Sequence, residues 1–200
     1  MLVANTRLIG TKVLSVQTGA PIGQIVKPIV DPSTFKIIAF ELAGPLIREA
    51  NYLTTDSIRE YSHFGMVADS IDELVSPSDV VRLEDVLSLN FSLTGLKVET
   101  KKGSKLGHIL DFTISSDDYM VAQIIVKRPL IKSFNDSTLV ISRKEIVEVT
   151  DYKIIVKDEE STLKSRAAKE DFIPNFVNPF RNSELSPSPA HTETPGDKDN

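Results

Sequence analysis

Few residues in this 200-residue chain have the type and spacing to do chemistry. There is no cysteine, and the three histidines, His63, His108 and His191, show no His-x-His or His-x-x-x-His spacing. A zinc centre draws three or four ligands, usually including Cys or His, into one tetrahedron, and no such set is visible, so no metal or other cofactor is expected. The histidines read as exposed or satisfied. Asp117-Asp118 is an isolated acidic pair. Calcium loops need ~6–8 oxygens at regular spacing, so turn chemistry accounts for the pair better. No nucleophile–base pair or phosphate loop stands out, and the expectation is a non-catalytic protein. A small enzyme on a β-barrel is the remote alternative.

Two sets of residues suggest binding instead. Lys97, Lys101, Lys102 and Lys105 cluster around one glycine turn, and Lys127, Arg128 and Lys132 flank Pro129. If both groups reach one rim, they could hold RNA phosphates or an acidic protein surface; a solvated face is the plainer reading. No aromatic residue lies among the lysines of the first cluster. The second set is Phe172, Phe176 and Phe180 with Arg181, in otherwise polar chain interrupted by Pro174 and Pro179. An extended peptide with aromatic anchors would dock into a groove or along a strand edge, on a partner, on a second copy of the chain or on its own barrel.

The elements that must position these residues come from an internal repeat. LIGTKV (8–13) lies over LTGLKV (93–98) at a shift of 85. Gly19–Gly23 lies over Gly103–Gly107 at a shift of 84, and FKIIAFEL (35–42) over YMVAQIIV (119–126) at the same shift. After a four-residue insertion, Ile58 and Glu60 meet Ile146 and Glu148 at 88, and one further residue sets Met66-Val67 on Ile155-Val156. Each copy reads as strands. Gly10 and Gly95 open the motif, Gly19 and Gly103 suit turns of positive φ, and Gly23 and Gly107 open the next strand, where a missing side chain permits a bulge or close backbone approach. Pro45-Leu46-Ile47 and Pro129-Leu130-Ile131 end the longest apolar strand of each copy, and are candidates for an inter-module contact or a docking patch.

The organisation expected is a first module at 1–75, a connector at 76–92, a second module at 93–157 and an acidic tail at 158–200. In the connector, Ser70-x-x-Glu73 just upstream suggests a capping box, Asp79–Leu83 a strand and Glu84–Leu89 a short helix. The formal net charge is −5, but residues 93–157 carry 11 basic against 8 acidic side chains, whereas 158–200 carry 5 against 9. The end of the tail has little apolar surface to offset the entropy of ordering and is expected to be disordered. The first residues lack a basic stretch followed by an apolar core, no apolar run approaches the ~20 residues of a membrane span, and the absence of cysteine fits a reducing compartment. A cytoplasmic protein is expected.

Gly10-Thr-Lys-Val13, Gly19-Ala-Pro-Ile-Gly23, Asp31, FKIIAFEL and Leu53-Thr-Thr-Asp-Ser-Ile58, with their counterparts Gly95–Val98, Gly103–Gly107, Asp111, MVAQIIV and Ile141–Ile146, resemble the PRC-barrel family over roughly residues 8–157. The resemblance implies an all-β fold of two tandem, small, antiparallel β-barrels with a short connector helix. It implies no single activity; what the family shares is docking to other macromolecules, an analogy of fold. The function expected is therefore a cytoplasmic adaptor or scaffold that docks unknown protein partners through barrel rims and the Phe-rich tail. The alternative is an RNA- or ribosome-associated assembly factor using the basic second module. Homo-oligomers are compatible with either.

Overall fold

A computed structural model describes residues 1–128 and 138–158. The first strands are β1 (Leu2–Ala4), β2 (Lys12–Ser15), β3 (Pro21–Asp31), β4 (Lys36–Ala43), β5 (Tyr52–Thr54), β6 (Ile58–Ser62), β7 (Gly65–Ala68) and β8 (Leu74–Val75). Helix α1 (Asn5–Leu8) follows β1, and α2 (Val81–Ser88) leads into β9 (Lys97–Thr100), β10 (Lys105–Ser115), β11 (Val121–Lys127), β12 (Thr138–Ser142), β13 (Ile146–Val149) and β14 (Lys153–Val156). The chain is thus mainly β. One sheet runs β6-β7-β2-β3-β4-β5-β8 and the other β12-β11-β10-β9-β14-β13, with β1 added on β10.

Neither sheet closes on itself among the described residues, so the ladders do not show the expected barrels. One expectation is corrected: neither sheet is purely antiparallel, because β2–β7 and β9–β14 pair in parallel. Parallel neighbours need a long crossover between them, and the four intervening strands of each copy supply it.

The repeat is present pair by pair. Val13–Gly23, Gln24–Ala43 and Ala39–Thr54 recur as Val98–Gly107, His108–Lys127 and Gln123–Ser142. The bulge between Ile25 and Lys27 recurs between Ile109 and Asp111. One step of the sequence alignment changes: Val13–Met66 recurs as Val98–Ile154, so Met66 corresponds to Ile154 and not to Ile155. The reason is the two-residue period of a strand. Met66 and Ile154 both have 0% exposure, and a slip of one residue would turn a buried side chain outward. Close approach explains the glycine at the start of the long strand: a Cβ on Gly107 would lie 2.0 Å from the Lys127 carbonyl oxygen, and one on Gly23 2.7 Å from that of Ala43.

The copies meet through their central hairpins. The turns after β3 and β10 end at Phe35 and Tyr119, with φ of 59° and 57°, a left-handed conformation costing roughly 1–2 kcal/mol for a residue with a side chain. There the Ile37 N–H donates to the Tyr119 carbonyl at 2.9 Å, and the Val121 N–H to the Phe35 carbonyl at 3.0 Å. These bonds are repeat-equivalents flanking a Lys36–Met120 bridge, so a local pseudo-twofold axis passes between the copies. Phe35 is buried, and the Phe40 and Tyr119 rings meet edge-on at 6.0 Å. One apolar core runs through both copies, from Val13, Phe40 and Leu53 to Val98, Phe112 and Ile124.

The lead-in segments cross over. β1 pairs with Thr113–Ser115 of β10, so part of the 1–75 span lies in the second sheet. Helix α2 packs Leu83 and Val86 on Ile29 and Ala39 of the first copy. The expected strand at Asp79–Leu83 is instead a 3-10 turn (Pro77–Asp79) running into α2, because Ser76 and Asp79 form a reciprocal cap and the apolar positions Val80, Leu83, Val86 and Leu87 share one helical face. The Ser70 hydroxyl accepts from the Asp72 N–H at 3.0 Å, but Glu73 accepts from the Ser57 hydroxyl at 2.8 Å, so the expected box there is not reciprocal. Among the described residues no helix is long and apolar enough to cross a membrane.

Candidate functional site

Three exposed side chains, Lys97, His108 and Lys127, form one row across β9, β10 and β11, because His108 is in register with both lysines. Residues directly opposite one another project from the same face of a sheet, and their neighbours along each strand from the other. Here the neighbours Val98, Ile109 and Val126 enter the core. With strands ~4.8 Å apart, the row is roughly 10 Å long. His108 separates the two lysines, and no acidic residue is interleaved.

The row extends on both sides. Lys153 on β14 is in register with Lys97, and its ammonium donates to Glu99 at 3.1 Å. That hydrogen bond, with the Glu99 charge, holds the Lys153 ammonium above its usual pKa range. Glu99, which also lies opposite Lys105, is thereby engaged. Lys101 and Lys102 are exposed at the adjoining β9–β10 turn, where Lys102 lies 4.0 Å from Asp158. The structure therefore brings Lys97, Lys101, Lys102, Lys105 and Lys127 to one region of one sheet, with Arg128 directly after Lys127. Beside the row stands Tyr152, 66% exposed, its ring centre 5.8 Å from the Lys153 ammonium.

The first copy carries the same frame with other residues. Its equivalent row is Lys12–Gln24–Ala43. The equivalent of Tyr152 is Phe64, 74% exposed and tilted against His63 with 3.8 Å between ring centres. Sequence reasoning missed both His108 and the Phe64–Tyr152 pair. The signal for His108 was the tight turn at Gly103, which sets it opposite Lys97. The signal for the aromatics appears only at the corrected shift of 88.

The other groups are engaged structurally. A cleft of about 290 Å³ lies between β3 and α2, lined by Asp31, Ser33, Arg82, Asp85, Val86 and Leu89 among others. Within it Arg82 is ion-paired with the buried Asp31 carboxylate and donates to the Ser33 hydroxyl at 2.7 Å, and the Ser33 hydroxyl and N–H donate to Asp31 at 2.7 and 2.9 Å. Burial pushes the Asp31 carboxyl up, but the bonds from Arg82 and Ser33 outweigh it and hold the pKa at about 2. Asp118 accepts from the Met120 N–H at 3.1 Å, as a turn residue does. Pro45-Leu46-Ile47 follows the C-terminal end of β4, whereas the inter-copy bridge sits at its N-terminal end; Leu46 is 67% exposed and Ile47 folds back over Gly23 and Gly44. Pro129, Leu130, Ile131, Lys132, Phe172, Phe176, Phe180, Arg181 and His191 lie outside the described residues.

No family model matches the chain, and no curated protein matches it.

Proposed function

We propose that this chain is a non-catalytic cytoplasmic adaptor made of two PRC-barrel-like modules that docks other macromolecules through the sheet face beside the β6–β7 and β13–β14 turns. The observation that carries this reading is the pair Phe64 and Tyr152. They are exposed aromatics at equivalent turns of two equivalent frames, beside rows that differ in charge. Exposed aromatics are the side chains that most often anchor interfaces, and two frames with different neighbouring charges suit two different partners. The Phe172–Phe180 segment is a further docking element in this reading.

The test is affinity capture from native cells with the full-length chain and its Phe64→Ala and Tyr152→Ala variants, with and without nuclease. Each variant is expected to lose a different subset of partners. Retention of every partner by both variants contradicts the reading. A second reading, an RNA- or ribosome-associated assembly factor, is favoured by the cationic row of the second module.

A further inference from the structure

We infer that the Lys97–His108–Lys127 row and Tyr152 form a binding face for single-stranded RNA; this rests on the docking reading and names the partner of its second face. Four features converge on it. The row sets Lys97 and Lys127 on either side of His108 without an interleaved acid, a pair of exposed ammonium groups along which phosphates can lie. A neighbouring acid, Glu99, is already bonded to Lys153. An exposed aromatic, Tyr152, stands next to Lys153, which is in register with Lys97, and a positively charged track next to a stacking platform is how single strands are held without sequence preference. Finally, the first copy provides an internal control, since the same ladder positions there are Lys12, Gln24 and Ala43.

The chemistry separates RNA from other polyanions. An acidic protein surface would satisfy the lysines and leave Tyr152 without a base to stack on. Lysine ammonium groups only donate, whereas a neutral imidazole donates from one nitrogen and accepts at the other. His108 is therefore the group in the row that can accept a hydrogen bond from a 2′-hydroxyl as well as donate to one, and the 2′-hydroxyl is what distinguishes RNA from DNA at a contact.

The experiment is fluorescence anisotropy of labelled U12, dT12 and an oligo-glutamate peptide with the full-length chain. U12 is expected to bind at 50 mM salt and to weaken about 7- to 18-fold by 200 mM, as two to three single-strand phosphate contacts require. Lys97→Ala/Lys127→Ala is expected to weaken U12 by at least roughly 10-fold, and Tyr152→Ala by roughly 5-fold or more while Tyr152→Phe keeps affinity. His108→Phe should narrow the preference for U12 over dT12, and Lys12→Ala should change nothing. Absence of U12 binding at 50 mM salt, equal affinity for dT12 or for oligo-glutamate, or an equal loss in Lys12→Ala would overturn the inference. Circular dichroism of each variant separates lost contacts from lost folding. If partner capture still depends on Phe64 and Tyr152 while U12 does not bind, the RNA assignment fails and the adaptor reading stands.

Discussion

At the scale of single residues, side chains of similar type have different work. Asp31 and Arg82 have the residue types of a catalytic pair, yet they join α2 to β3, with Asp31 2% exposed. The folded carboxyl titrates near 2 against an ordinary 3.8. A depressed acid stabilises the fold above its unfolded pKa and loses that contribution as pH falls through the folded value. Stability is therefore expected to fall between about pH 4 and pH 2 by on the order of 2 kcal/mol from this group. Arg82→Ala should flatten that acid limb, measured by urea unfolding at stepped pH; an unchanged limb would show that the pair is not the cause. Sequence inspection isolated Lys97 and Lys127 by type. It could not isolate His108, whose significance comes only from the two strands that flank it.

At the scale of elements, legibility followed periodicity. The long strands β3, β4, β10 and β11 were readable because apolar alternation and glycine turns recur in both copies. The parallel pairs β2–β7 and β9–β14 were not, since strand pairing between distant segments leaves no local signature. The connector misled for a different reason: Asp-Val-Val-Arg-Leu (79–83) has β-branched residues, but its apolar spacing matches a helix whose face has somewhere to pack. Burial of Leu83 at 1% exposure decides the outcome. Leu83→Ala is expected to cost about 3 kcal/mol, read as a lower urea midpoint with unchanged slope. A change below about 0.5 kcal/mol would mean that α2 adds little to the core.

At the scale of the whole molecule, two copies form one body around a local twofold, with β1 and α2 exchanged between them. A self-comparison finds the copies but not this exchange, because nothing in the sequence of a lead-in segment says which copy it will cover. The frame is common while the exposed rows have diverged, and that divergence is where the functional account rests. It is tested most directly by moving the row. In a Lys97→Ala/Lys127→Ala background, Gln24→His/Ala43→Lys would rebuild Lys–His–Lys on the first copy beside Phe64, with U12 anisotropy as the readout. The account predicts that affinity returns to within about threefold of the parent, a difference of under ~0.7 kcal/mol. A correctly folded graft that still fails to bind would contradict it.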